Sequence, residues 1–408
     1  MKDDDLKLQH GVDAERVALA YENASINGSL ERLRVELARG YLTPKNGNLQ
    51  ECSSAIRRLL RDGSLGLVVP MRENGPVIRP LLTTLVKKYR VTPGSVLVMD
   101  NGSDEDALEE VRRYGKKGVR LACSDGILDI LDWNRLLPIL NLRDRPRGKG
   151  VAVLAGYLYW YITAKCGGRK PAWIGQNDAE IAEFRRYQCW EYLGYGIVTK
   201  PDAQYIKMAK FGRTNERCMT ARWMLDSVAG SERIDPAIRR RAKEICYRLG
   251  GHKWMITGEF VLRWDLAMRR PFATSYLEET VTSLYAEDYC ACHLPPGVDA
   301  VVQVGNPNPR LDAANNDRKE SIMQQQISNF LLMLPFEETS ALDTWTVETI
   351  TRLNNTLMAR PIVMGWIPST EEPIVPEEVR NDRIIPSVTQ LDQAGLIDWK
   401  KAERLFAP

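Results

Sequence analysis

Leu65-Gly66-Leu67-Val68-Val69 runs into Pro70-Met71-Arg72-Glu73-Asn74-Gly75-Pro76, and the pattern returns at Ser95-Val96-Leu97-Val98-Met99, which runs into Asp100-Asn101-Gly102-Ser103-Asp104-Glu105-Asp106. Each is a short unbroken apolar run closed by a polar loop. A helix is expected after each loop, over 77–89 and 107–114, and a further strand over 119–122. Apolar strands alternating with helices through short connections predict an α/β fold: a mostly parallel, Rossmann-like sheet with helices on both faces. In such sheets ligands bind beyond the carboxyl ends of the strands. Arg72 and Glu73, and the residues from Asp100 to Ser103, lie there. Ser103 also suits a turn and a helix cap whatever the function.

Further along, a basic loop (Arg143-Asp144-Arg145-Pro146-Arg147) leads into Gly148-Lys149-Gly150 and a helix over 151–165. A lysine between glycines at a helix start suits a phosphate: glycine lets the backbone approach, and a helix N-terminus favours anions. The spacing is not that of a Walker loop. Then comes Ala172-Trp173-Ile174-Gly175-Gln176-Asn177-Asp178-Ala179-Glu180-Ile181. In extended structure Asp178 and Glu180, two residues apart, share one face. Paired carboxylate oxygens suit Mg²⁺ or Mn²⁺, which also grips the phosphates of a nucleotide. Taken alone, such an acid pair is more often a solvated loop. A helix over 183–193, a strand over 196–199 and a helix opening at Tyr276-Leu277-Glu278-Glu279-Thr280 are expected beyond it.

The 408 residues are 44% hydrophobic and 27% charged, which allows a sizeable core and more than one domain. Three parts are expected: a polar helical arm over 1–62, the α/β domain over 63–315, and C-terminal helices with an extended Pro-rich tail over 316–408. No apolar run is long enough to span a bilayer, and the acidic start (Met1-Lys2-Asp3-Asp4-Asp5) lacks the apolar region of a secretory signal. Eight scattered cysteines point to reduced thiols rather than a zinc site, so a cytoplasmic location is expected. A net charge of +3 makes no strong case for nucleic acid, although Arg239-Arg240-Arg241-Ala242-Lys243 is a local basic knot.

In this order the motifs resemble those of GT-A fold glycosyltransferases, most closely the retaining glucosyl-3-phosphoglycerate and mannosylglycerate synthases. Val69-Pro70-Met71-Arg72-Glu73-Asn74 resembles the nucleoside-holding first strand, and Asp100-Asn101-Gly102-Ser103 the second-strand Asp-x-Gly-Ser. Gly148-Lys149-Gly150 matches the family's Gly-Lys-Gly, and Asp178-Ala179-Glu180 falls at its Asp-x-Asp. Gly258-Glu259-Phe260 is similar to the segment lining the sugar, Tyr276 with Glu279 to a Tyr-x-x-Glu, and Gly212-Arg213-Thr214-Asn215 to the loop gripping an anionic acceptor. Two departures stand out. The second acid is Glu180, and no histidine stands in Val304–Asp312, where the family has its third metal ligand; Asn308, Asp312 or His293 are the substitutes.

The resemblance implies transfer of a hexose from a UDP- or GDP-sugar to a hydroxyl acceptor, with retention. Mg²⁺ or Mn²⁺ would sit on Asp178, Glu180 and Asp312. The donor would be held by Pro70, Arg72, Glu73, Asp100, Gly102, Ser103, Lys149 and Gly258. Glu259 and Glu279 would position the sugar, and Arg213 a small anionic acceptor such as a glycerate. Were the reaction inverting, Glu278 or Glu279 would be the base candidate. The alternatives are a transferase acting on hydroxymethylated bases of nucleic acid, a sugar nucleotidyltransferase (disfavoured by the single glycine in 70–76) and a non-catalytic nucleotide-sugar-binding relative. Homo-oligomers are possible on any of these readings.

Overall fold

The computed structural model describes residues 42, 48–72, 75–181, 184–211, 230, 236, 239–240, 243, 258–275, 277–295, 300–309, 345–359 and 382–406. Helix α1 (Asn48–Arg61) precedes strand β1 (Leu65–Met71). A short 3₁₀ turn, helix α2 (Arg79–Thr84) and a π-turn lead to β2 (Val96–Asp100), followed by α3 (Glu105–Arg112) and β3 (Val119–Cys123). Helices α4 (Ser124–Leu128), α5 (Trp133–Leu140) and α6 (Lys149–Lys165) return the chain to β4 (Trp173–Gln176). After α7 (Phe184–Tyr187) and α8 (Cys189–Thr199) come β5 (Tyr205–Phe211), β6 (Phe260–Arg263), α9 (Trp264–Arg269) and the short β7 (Phe272–Ala273). The remainder is α10 (Glu278–His293), β8 (Val301–Pro309), α11 (Val347–Ala359), β9 (Ile384–Ile385), α12 (Val388–Gln393) and α13 (Trp399–Phe406).

The expected α/β architecture is present. Seven strands form one sheet in the order β3-β2-β1-β4-β6-β5-β8; β1 to β4 are parallel, and only β6 runs against its neighbours. Side-chain alternation splits each apolar run between two cores. Val68, Leu97, Ile174 and Phe260 pack under α6 with α9 and α12, whereas Leu67, Val69, Val98 and Val261 pack with α1, α2 and α8. Helix α6 is buried from Gly150 to Ile162, as its apolar composition on every side requires. Pro70 is tolerated inside β1 for a local reason. Odd-numbered residues there bond to β2 (Leu67 N–H to Ser95 O, Asn101 N–H to Met71 O). The N–H that Pro70 lacks would face β4, whose pairing has ended at Val68–Gln176.

Two elements differ from expectation. Residues 196–199 end helix α8 rather than forming a strand. Two glycines are close-approach points on this buried helix: a Cβ at Gly194 would stand 2.6 Å from Ile56 Cγ1, and one at Gly196 2.6 Å from Ile206 Cγ2. The chain end also departs from an extended tail. Ser387 and Gln390 form a capping box that starts α12, and α13 follows; Val388, Leu391 and Ala402 join the α6 core.

Candidate active site

The chain runs from β1 outward through β2 and β3, then returns to lay β4 on the other side of β1. The carboxyl ends of β1 and β4 therefore flank a topological switch point, where open α/β sheets form their ligand crevice. Asp178 lies two residues past the end of β4, at that crevice. It is not on a strand face: the chain leaves the sheet at Asn177, whose N–H still bonds Val68 O and whose side-chain amide bonds Asp178 O at 2.6 Å. The expected strand-face pairing of Asp178 with Glu180 is thus replaced by a loop in which Asp178 is buried and Glu180 half-buried.

Lys149, the first residue of α6, reaches into the same crevice. Its Nζ lies 2.7 Å from Asp178 Oδ1 and 2.5 Å from Glu279 Oε1 in the first turn of α10. Burial alone would lower the lysine pKa, but the two carboxylates outweigh it and hold the ammonium well above its ordinary value. Glu279 Oε2 is buried without a hydrogen-bond partner, as are both side-chain polar atoms of Gln176 at the end of β4. Gly258 closes the back of the site. A Cβ there would collide with the Asp178 carboxylate, so a larger residue would have to displace that side chain. Glu259 beside it is fully buried, and its carbonyl accepts from Met208 N–H.

The glycines flanking Lys149 have a different role from the one expected. A Cβ at Gly148 would stand 2.5 Å from Thr274 O, and one at Gly150 would collide with Ala273 O. They admit protein backbone rather than phosphate, and Val151 N–H donates to Thr274 O at 3.3 Å. The second loop closes around Asp100, whose Oδ1 accepts from Ser103 N–H at 2.9 Å and Oδ2 from Gly102 N–H at 3.3 Å. Gly102 sits at φ +90°, a left-handed conformation that suits glycine. Asn101, not singled out from the sequence, ties this loop to the lysine: its Nδ2 donates to Gly148 O at 3.1 Å.

Glu278 is removed from the list of candidate bases. It is fully buried, ion-paired with Arg270, and accepts Ala273 N–H at 2.9 Å. Burial raises its pKa against the pull of Arg270. Arg270 lies against the edge-to-face rings of Tyr157 and Phe272, 4.4 and 4.2 Å from their centroids, and donates to Thr282 Oγ1. A second residue missed by sequence reading is Asp382. Its carboxylate accepts from Thr274 Oγ1, Ser275 N–H and Leu277 N–H at 2.8–2.9 Å. Burial pushes its pKa up to about 6 despite these donors. Its partners lie more than a hundred residues away in sequence, and no local pattern marks it.

The structure thus brings together Lys149, Asp178, Gly258 and Glu279, with the Asp100–Ser103 loop joined through Asn101. Pro70 is buried in β1 and Arg72 exposed just past it. His293 lies at the far end of α10, exposed, its ring stacked on Tyr289. Glu73, Arg213, Tyr276 and Asp312 lie outside the described residues. Arg239, Arg240 and Lys243 of the basic knot are helical, the latter two exposed. Among the described residues no helix is long and apolar enough to cross a membrane.

No protein-family profile matches the chain, and no curated protein sequence matches it. Solved structures resemble it. Glucosyl-3-phosphoglycerate synthase from Mycobacterium tuberculosis, in complex with Mn²⁺ and UDP-glucose, is 19% identical, covers 72% of this chain and 85% of its own, and has a TM-score of 0.48. The same enzyme with Mn²⁺, UDP-glucose and glycerol 3-phosphate is 18% identical over 72% of this chain and 87% of its own, at a TM-score of 0.48. Its complex with Mg²⁺ and UDP gives 18%, 72%, 85% and 0.48. At such identity and score, the site assignment rests on this chain's own residues.

Proposed function

We propose that this chain is a glycosyltransferase that moves a hexose from a UDP- or GDP-sugar to a hydroxyl acceptor, with retention. One observation carries the reading: a largely buried lysine bridges two carboxylates at the switch point of the sheet, Asp178 from beyond the strand end and Glu279 from the first turn of α10. With a divalent ion on Asp178, that constellation would balance the charge of a diphosphate and address a sugar beside it.

The donor set suits a hard divalent ion. Mg²⁺ is commonly held by one or two carboxylates together with substrate phosphates and waters, so a dedicated cage is not required. Among the described residues no three acidic, histidine or cysteine side chains converge on one point. Asp178 is the residue in place to hold the ion, with Glu180 and Asp312 the further candidates. When bound, Mg²⁺ or Mn²⁺ supplies charge stabilisation to the departing diphosphate.

Lys149 adds a second positive charge at the diphosphate once it turns from Asp178. Glu279, whose Oε2 has no partner in the protein, takes a sugar hydroxyl as hydrogen-bond acceptor. The Asp100–Ser103 loop, fixed by the carboxylate of Asp100 and the left-handed Gly102, binds the nucleoside. Arg213 would orient a small anionic acceptor, such as a glycerate, through its fork. Thermal unfolding with UDP-glucose, GDP-mannose and related donors, with and without Mn²⁺, tests the assignment. A donor present at a hundred times its Kd stabilises the native state by about 2.7 kcal/mol, and Asp178→Asn should erase that shift. Stabilisation by no nucleotide-sugar would overturn the reading.

A further inference from the structure

The C-terminal segment enters the site from behind. Strand β9 pairs antiparallel with β7 (Phe272 with Ile385, Ala273 with Ile384), and Thr274 N–H donates to Arg383 O. Asp382, one residue earlier, then accepts three donors from 274–277, the turn that opens α10. Two of them, Ser275 N–H and Leu277 N–H, are backbone groups at the mouth of the helix that carries Glu279. The opposite side of the same turn presses on the start of α6, where Gly148 and Gly150 admit Thr274 and Ala273. The turn is therefore held between Asp382 and the helix end bearing Lys149.

We propose that Asp382 is a positioning residue: from the C-terminal segment it fixes the α10 N-terminus, and with it Glu279, at contact distance from Lys149. Charge-assisted acceptance of backbone N–H groups by a buried carboxylate is strong and directional. Nothing else among the described residues accepts from Leu277 N–H or Ser275 N–H. The two carboxylate oxygens serve both amides, Oδ1 taking Ser275 N–H and Oδ2 taking Leu277 N–H; an asparagine keeps one oxygen and sets an NH2 against the other amide, a cost that is met by moving the turn.

The test has two arms. The first needs no ligand. Crystal structures of the wild type and of Asp382→Asn should show the Glu279 carboxylate in contact with Lys149 Nζ in the first and more than about 4 Å from it in the second. Contact kept in the variant overturns the proposal. The second arm rests on the nucleotide-sugar reading and measures donor affinity. Asp382→Asn should weaken it about tenfold, while the Asp382→Asn, Glu279→Gln double variant binds within about twofold of Glu279→Gln alone, since both act through one carboxylate. Additive losses overturn the proposal. If the wild type binds no nucleotide-sugar, the functional reading falls and the structure of Asp382→Asn still decides the role of Asp382. Should Asp382→Asn fail to fold, Thr274→Val removes one of the three donors, and the same two readouts apply with smaller shifts.

Discussion

Glu278 and Glu279 are neighbours in one helical turn and belong to two different ion pairs. Glu278 faces inward to Arg270, and both are fully buried. Arg270 lies against two aromatic rings and donates to a threonine. Glu279 faces Lys149, whose side chain is a fifth exposed, and keeps one oxygen free. The inner pair is shut off from solvent, although Arg270 Nε and Nη2 have no acceptor among the described residues. The outer one opens on the crevice and joins Asp178, from the loop after β4. What separates the two pairs is access to the crevice rather than the number of satisfied atoms.

The largest expected effect lies at the outer pair. Asp178→Asn keeps the volume of the side chain, so the fold should survive, but transfer should drop by about 10³-fold or more, near 4 kcal/mol of transition-state stabilisation. Steady-state kinetics with the donor found by thermal shift measures it, and near-wild-type turnover would remove Asp178 from the site. Next comes the inner pair. Arg270→Ala leaves Glu278 buried and unpaired and should cost about 3–5 kcal/mol in denaturant unfolding. A loss under about 1 kcal/mol would place that pair with ordinary surface bridges.

Asp382 gives a pH-dependent contrast. Its folded pKa of about 6 lies above the ordinary aspartate value of 3.8, so the native state binds the proton more tightly than the unfolded chain. The stability this contributes is fully present below about pH 4 and lost as pH rises through about 6, a fall of about 3 kcal/mol. Charged Glu278 and the neighbouring Arg383 act on it from α10 and from its own segment. Asp382→Asn should lack that component, so the difference in unfolding free energy between wild type and variant should change across this window. A pH-independent difference would mean that the carboxylate does not titrate there. The smallest effect is expected at Glu279→Gln. The amide can still accept from Lys149, so stability should stay within about 1 kcal/mol, while transfer falls about ten- to a hundredfold, or 1.4–2.7 kcal/mol. A stability loss matching that of Arg270→Ala would erase the distinction between the two pairs.

The parallel half of the sheet was legible because its signals are local. Unbroken apolar runs at 65–69 and 95–99 announce buried strands, and the loops closing them fall at the crevice by topology alone. Asp178 and Lys149 were singled out for their chemistry, but their contact was not, since nothing in either motif says that α6 begins beside the end of β4. The reading of Gly148 and Gly150 failed for a related reason: a glycine reports close approach without saying to what. The strand expected over 196–199 failed because the run is the end of a buried helix packed against Ile56 and Ile206. Asp382 was invisible because its partners are brought to it by the β7–β9 pairing, two residues long in each strand. The order of motifs pointed to the crevice, and long-range packing set which acid pairs with which base.

Gly258 and Gly102 set unequal limits on how this site could be altered. Behind Gly258 the Asp178 carboxylate fills the space that any side chain would need, so replacement there displaces a charged group. Around Gly102 nothing lies within 4 Å of an added Cβ, and the obstacle is the left-handed backbone alone, a penalty on the order of 1 kcal/mol. A lengthened or rebuilt loop can relieve backbone strain, whereas no loop change makes room at Gly258. If the proposed donor site holds, divergence toward new donors, in a natural lineage or in a laboratory library, would have an open route at the 101–103 loop and a harder one at the wall behind Asp178.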